Sequence, residues 1–177
     1  MVKPILLVAG AIPAIVALLI LYPLITKPDI PFSAANPNDT IEIEYTKHQL
    51  SKVSFGITDK VSSQKTEILL IKNSGETKYS VVKEGFPQPE IESELSDEKL
   101  KKLKALIKET GFIAIPSESF PVKEDVVEYQ KSNVKVTLNG VTQQIHWPEQ
   151  NATEKFIPPI ITMVELELDT IIEQIRE

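Results

Sequence analysis

The sequence predicts an α+β protein: one N-terminal transmembrane helix, then an antiparallel sheet of two hairpins plus an edge strand, packed against two helices. Residues 5–25 carry no charge, two later stretches show the apolar period of amphipathic helices, and several others alternate apolar and polar side chains beside turn sequences. We divide the chain into a transmembrane anchor (1–26), a proline-rich stalk (27–39) and an extracytoplasmic domain (40–177).

The anchor is long enough to cross a bilayer, because its uncharged residues would form a helix of about 31 Å. A signal peptide has a shorter apolar core and a small-residue cleavage site soon after it. The only such site, Ser33-Ala34-Ala35, lies well beyond the apolar run, which favours a retained anchor over cleavage. The short tail around Lys3 favours a single-pass protein of the cell membrane, with a cytoplasmic N-terminus and the C-terminal domain outside.

One face of this segment carries small residues, Gly10, Ala14 and Ala17, where another helix can approach closely. Pro13 removes one backbone donor, a break that is better tolerated when neighbouring helices cover it. The pattern therefore marks a candidate helix-packing face toward other membrane protein subunits. The alternative is that small residues are simply common in membrane spans.

The first strands of the domain follow the stalk. Ile41, Ile43 and Tyr45 alternate with glutamates and predict a half-buried strand, and a mixed stretch near Val53 predicts a second. A hairpin is then expected around Asn73-Ser74-Gly75-Glu76.

The middle helix has clear signals at both ends. Ser96 is a good N-cap, Asp97 and Glu98 suit the positive end, and Gly111 suits a left-handed C-terminal position that folds Phe112 back. We expect a buried extended segment over 111–116 and a solvated face for the lysines of the helix. That face would comprise Lys99, Lys101, Lys102 and Lys104. The predicted apolar stripe comprises Leu100, Leu103, Leu106 and Ile107.

The C-terminal third predicts a hairpin and a helix. Asn139-Gly140 favours a two-residue turn that pairs Val136 with Gln143 and Val134 with Ile145 on a core face. A last helix should begin near Pro158-Pro159. Its expected apolar side comprises Ile160, Ile161, Val164, Leu166, Leu168, Ile171, Ile172 and Ile175.

These elements resemble a family of small α+β domains of unassigned function, found in secreted and membrane-anchored prokaryotic proteins. The matching residues are Leu95-Ser96-Asp97-Glu98, Gly111-Phe112 and the hairpin segment 134–140, within a resemblance that spans about 40–175. The overall composition also looks like that of archaeal extracytoplasmic proteins. Other members often carry a cysteine-containing loop, which this chain lacks. The resemblance implies a fold and a membrane-anchored or secreted setting, not an activity.

Composition and spacing argue against several kinds of chemistry. The net charge is −6, which disfavours binding to nucleic acid. The two histidines, His48 and His146, lie far apart in a chain without cysteine, so we expect no metal site there. Glu124, Asp125 and Glu128 lack EF-hand spacing and are expected to be a solvated acidic loop.

No catalytic motif stands out, and we expect neither enzymatic activity nor a cofactor. The sequence contains no Gly-x-Ser-x-Gly and no glycine-rich phosphate loop. Trp147 is expected to close the core, the alternative being a platform that stacks on sugars or peptides. Asn38 and Asn151 each begin a candidate glycosylation sequence.

Two functions remain in competition. The first is a non-catalytic, membrane-tethered interaction module, an accessory subunit of a larger membrane complex. The second is a surface-displayed domain that binds a ligand or an ion, and an enzyme of unrecognised type ranks third.

Overall fold

A long hairpin at the start of the domain organises the sheet. The computed structural model describes residues 35–56, 58–117 and 119–177, so the anchor, most of the stalk and the Gly10, Ala14 and Ala17 face lie outside the described residues. Strands β1 (Ile41–Phe55) and β2 (Thr58–Ile71) pair along almost their whole length. Gly56 has a φ of 69°, which glycine adopts readily.

The remaining elements follow in a simple order along the chain. They are strands β3 (Glu76–Lys83), β4 (Phe86–Pro87) and β5 (Ile91–Glu94), helix α1 (Asp97–Glu109), strands β6 (Glu128–Leu138) and β7 (Val141–Pro148), and helix α2 (Pro159–Arg176). Short 3-10 helices cover Phe112–Ala114 and Gln150–Ala152. The described strands form one antiparallel sheet in the order β4-β3-β2-β1-β6-β7, with β5 also paired to β3.

The α+β class, with an antiparallel sheet and two helices, is therefore confirmed, but the position of the first strand is not. We predicted two hairpins plus one edge strand, whereas the first strand, β1, lies in the middle of the sheet between β2 and β6. It also extends to Phe55, and β2 returns beside it, so that β1–β2, β2–β3 and β6–β7 are all hairpins. Backbone pairing on both sides keeps the strand extended beyond the point where its apolar alternation ends.

Both helices lie on one face of the sheet and close the core there. The predicted stripe of α1 is buried, and α2 buries Ile161, Val164, Leu168, Ile171 and Ile172. Leu166 departs from the expectation, since it points outward from α2 and is 65 % exposed. Met163, three residues earlier on α2, is also exposed, so the two side chains are neighbours on the helix surface.

The local signals at the ends of α1 are confirmed. The Ser96 hydroxyl accepts a hydrogen bond from the Lys99 amide at 3.3 Å, and Gly111 has a φ of 65°. The segment after Gly111 was expected to be extended and buried, which is wrong. It turns at once into a 3-10 helix, with the Ala114 amide donating to the Gly111 carbonyl at 2.8 Å, and only Phe112 within it is fully buried.

The Asn139-Gly140 hairpin forms as predicted. Val136 pairs with Gln143, Val134 pairs with Ile145, and Asn139 has the positive φ of 51° that this turn needs. Trp147 lies beyond these pairs and is 2 % exposed, so it belongs to the core.

Candidate functional site

A polar cleft of about 510 Å³ opens on the helix-bearing face of the sheet, where β1 and β2 extend past the apolar core. Eleven residues line it: Lys47, Gln49, Leu50, Ser51, Gln64, Lys65, Glu67, Glu128, Tyr129, Gln130 and Glu149. Most carry amide, carboxylate, amine or hydroxyl groups. We call this feature the polar cleft.

Three neighbouring strands place these groups on one surface. Side chains two apart along a strand share a face, so Lys47 and Gln49 of β1 point the same way. Gln49 pairs with Gln130 of β6 on one side and with Lys65 of β2 on the other. A register shift at Gln49/Leu50 inserts one extra residue, Gln64, into β2 and bends the strand at the cleft.

The Glu165 carboxylate of α2 lies between the polar cleft and the core and accepts hydrogen bonds from both sides. It accepts hydrogen bonds from the Ser132 hydroxyl at 2.6 Å and from the Trp147 indole N–H at 3.0 Å. The Gln130 side-chain amide, which also lines the cleft, donates to the same carboxylate at 3.5 Å. Glu165 thus joins α2 to β6 and β7 through polar contacts.

A second carboxylate on α2, one helical turn later, holds β1. Asp169 accepts from the Tyr45 hydroxyl at 2.9 Å and from the Lys47 ammonium at 2.9 and 3.0 Å. The Lys47 side chain is 17 % exposed, and its ion pair with Asp169 neutralises its charge where it lines the cleft. A similar pair, Lys65 with Glu67 at 2.9 Å, lies across the cleft on β2.

The tyrosines around these carboxylates stay protonated. Burial, followed by the charges of Glu165 and Asp169, raises the pKa of Tyr45 far above its ordinary value. Burial and a hydrogen bond to Glu67 likewise raise the pKa of Tyr79. Burial by itself would raise the pKa of Glu67, but hydrogen bonds from Tyr79 and Lys65 outweigh it and lower that pKa overall. Both tyrosines therefore act as hydrogen-bond donors.

The cleft is chemically suited to hydrogen bonding with a neutral polar ligand. Its two lysines already face carboxylates, so an anion would have to compete with Asp169 or Glu67. The amides of Gln49 and Gln64 offer both donors and acceptors at the exposed rim.

The histidines lie away from this cleft. His48 belongs to the opposite face of β1, where its Nδ1 lies 2.9 Å from the Thr66 hydroxyl. His146 pairs with Asn133 on that same open face, as the hairpin register predicted. Burial and the nearby positive charge of Lys131 lower the pKa of both imidazoles, so both are neutral at pH 7.

The predicted acidic loop is divided between two places. Glu124 and Asp125 are exposed beside a second cleft of about 490 Å³ that Glu154 also lines, whereas Glu128 lies on β6 in the polar cleft. Within residues 35–56, 58–117 and 119–177, no group of three or more potential ligand side chains is placed to hold a metal ion.

A separate polar cluster fixes the N-terminal boundary of the domain, and we call it the junction cluster. Asp39 accepts from the Lys108 ammonium at 2.7 Å and from the Asn139 side-chain amide at 2.8 Å. These two hydrogen bonds lower its pKa to about 2. The Lys104 ammonium donates to the Asp39 carbonyl at 2.6 Å.

Lys104 therefore corrects one sequence prediction. It was placed on the solvated face of α1, but it is 8 % exposed because its ammonium reaches the backbone of Asp39. Sequence spacing within α1 carried no signal for this contact, since the acceptor lies 65 residues earlier in the chain.

The candidate glycosylation residues are accessible at the surface. Asn38 and Asn151 are both exposed, although Thr153, which completes the second sequence, is buried. Glycosylation of either residue stays a prediction.

No protein-family model matches the sequence, and none of the curated proteins matches it. The resemblance to small prokaryotic α+β domains therefore stays a prediction. Among the described residues, no helix combines the length and apolar character that a membrane crossing requires.

Proposed function

We propose that the chain is a membrane-tethered extracytoplasmic interaction module and an accessory subunit of a larger membrane complex. The junction cluster is the observation that carries this proposal. It ties Asp39, the last residue of the predicted stalk, to α1 and to the β6–β7 turn. A domain start held by an ion pair and hydrogen bonds suits a module that is tethered through the residues before it.

Backbone contacts extend this fixation into the first strand. The Asn139 side-chain oxygen accepts from the Thr40 backbone N–H at 2.9 Å. The Asn139 backbone N–H donates to the Thr40 carbonyl, also at 2.9 Å. Asn73 accepts from the Ile41 amide at 3.1 Å. Asp39, Thr40 and Ile41 are therefore held by Asn139 in the β6–β7 turn and by Asn73 in the β2–β3 turn, so the domain begins at a fixed point of its own fold.

Exposed apolar side chains supply candidate contact points. Phe156 is 73 % exposed in the loop before α2, and Leu166 on α2 is 65 % exposed. Contiguous exposed apolar surface often marks a protein interface, so Phe156 and Leu166 are the first positions to substitute in a search for one.

The proposal is tested by gentle detergent extraction from native membranes, native-gel separation and mass spectrometry of the proteins that comigrate. We expect a defined complex that is lost when Gly10 and Ala14 are both replaced by leucine. Ile12→Leu with Val16→Leu is the matched control, because in the predicted helix these positions fall on the opposite face. A chain that migrates alone in all three forms contradicts the proposal.

Topology has its own test, because the chain contains no cysteine. Asn151→Cys should react with a membrane-impermeant maleimide in intact cells, whereas Val2→Cys should react only after permeabilisation. The reverse pattern contradicts an extracytoplasmic domain, and labelling of secreted protein in the medium contradicts a retained anchor.

A second candidate function, binding of a neutral polyhydroxyl ligand such as a saccharide, rests on the polar cleft. The exposed amide of Gln49 lies at its rim. A saccharide panel should then give a thermal shift that Gln49→Leu removes, while Gln88→Leu, outside this cleft, leaves it intact. No shift with any member of the panel contradicts this function.

A further inference from the structure

We propose that β7 is a dimerisation edge, through which two copies of this chain pair antiparallel and join their sheets. This inference rests on the proposed function, because it names a second copy as one partner of the interaction module. It concerns the edge of the sheet formed by Thr142, Gln144 and His146.

The hairpin register determines which backbone groups of β7 face outward. Leu138 and Val141 flank the two-residue turn and form a hydrogen-bonded pair, and the pattern alternates from there. Thr142, Gln144 and His146 consequently direct their N–H and C=O groups away from β6. Among the described residues, no hydrogen bond outside the strand ladder reaches the backbone of these three.

The two outer edges of the sheet differ in how well they are protected against pairing with a strand of another molecule. At the far edge, β4 has two residues and contains Pro87, while β5 has four residues and contains Glu92 and Glu94. Short length, proline and charge are the usual devices that prevent edge-to-edge pairing. The β7 edge has eight residues, of which only the last is proline, and it carries no Asp, Glu, Lys or Arg.

Charge explains why a second copy fits this edge. The protein has a net charge of −6, so two copies repel one another over most of their surface. At β7, the exposed side chains are those of Val141, Thr142, Gln144 and His146, and the lowered pKa of His146 keeps that imidazole neutral at pH 7. An identical acidic chain can therefore approach here without placing like charges opposite one another.

A two-fold axis at Gln144 gives a self-complementary pairing. Gln144 then lies opposite Gln144 of the partner subunit, and Thr142 lies opposite His146 of the partner subunit. Each opposed pair exchanges two backbone hydrogen bonds, and the side chains of these residues extend the open faces of the two sheets into one surface.

Disulfide trapping in native membranes tests the register directly. In the cysteine-free full-length chain, Gln144→Cys places two thiols opposite one another at a Cα separation of about 5.5 Å, which a disulfide can bridge. We expect mild oxidation to convert Gln144→Cys into a homodimer. Ser93→Cys, on the exposed far edge, is the control and should stay monomeric.

The backbone contribution is tested by Gln144→Pro, measured as the dissociation constant of the full-length chain in detergent by analytical ultracentrifugation. Proline is tolerated where an edge N–H faces outward, so this variant should fold, yet it removes one donor from each subunit. We expect dimerisation at least about tenfold weaker, with Gln144→Ala close to the unmodified chain.

Three outcomes overturn the inference: no dimer in either assay, a dimer that Gln144→Pro leaves unchanged, or disulfide trapping of a different protein at Gln144→Cys. The last of these leaves the proposed function standing, because an interaction partner would exist without being a second copy.

Discussion

At the scale of single residues, Glu165 shows how polar groups specify this core. Its carboxylate accepts from Ser132 and Trp147, and neither donor has room for solvent, since both residues are at most 2 % exposed. Nothing in the α2 sequence distinguishes Glu165 from Glu167, which forms a surface pair with Lys102. Only the packing of β6 and β7 makes one glutamate structural and leaves the other at the surface.

We therefore expect Glu165→Ala to lower the free energy of unfolding by about 2–3 kcal/mol, because it leaves two buried donors unsatisfied. Glu167→Ala, two residues further along α2, should cost less than about 1 kcal/mol. Urea denaturation followed by Trp147 fluorescence measures both, since this is the only tryptophan. Equal costs for the two variants would contradict the role of Glu165.

Asp39 gives a pH-dependent prediction. Its pKa is lowered from an ordinary value of 3.8 to about 2, so its contribution to stability is complete above pH 4 and is lost as the pH falls toward 2. Asp39→Asn should be less stable than the unmodified chain by about 1–2 kcal/mol at pH 6, and this difference should shrink at pH 2–3. Denaturation midpoints of both chains at the two pH values provide the test. A difference independent of pH would exclude the charged form as its cause.

At the scale of elements, turns and caps were predictable because each depends on neighbours in sequence. The Ser96 cap, the Gly111 terminus and the Asn139-Gly140 register all formed as expected. The strand expected near Val53 is the end of β1, not a separate strand. The length of the β1–β2 hairpin was not predictable, because residues 46–49 and 62–67 are all polar and only pairing across the sheet keeps them extended. The polar cleft was missed for a related reason, since its walls come from strands far apart in the chain.

Glycine turns give a prediction at this scale. Gly111 and Gly75 both have positive φ, at 65° and 92°, but a Cβ at Gly111 meets open space, whereas at Gly75 it would lie 2.9 Å from the Leu95 carbonyl oxygen. Gly111→Ala should therefore cost about 1 kcal/mol from backbone strain, and Gly75→Ala should cost about 2 kcal/mol or more. Thermal unfolding ranks the two variants, and the opposite order would contradict the close approach of Leu95.

At the scale of the whole molecule, the junction cluster joins the start of the domain to α1 and to the β6–β7 turn. The Asp39 side chain is 8 % exposed and that of Lys108 is 32 % exposed, so their ion pair is partly shielded from water. Lys135 and Glu44 form a comparison pair on the open face of the sheet, at 3.6 Å with both side chains near half exposure. Shielding strengthens an ion pair whose remaining hydrogen bonds are satisfied, as they are around Asp39.

A double-mutant cycle on Asp39→Ala and Lys108→Ala should accordingly give a coupling free energy of about 1–2 kcal/mol. The same cycle on Glu44→Ala and Lys135→Ala should give no more than about 0.5 kcal/mol, because that pair is solvated. Urea denaturation at pH 7 supplies both values. If the two cycles gave equal coupling, Asp39 and Lys108 would be an ordinary surface pair. The fixed boundary that supports an interaction module would then rest on the hydrogen bonds of Asn139, Asn73 and Lys104.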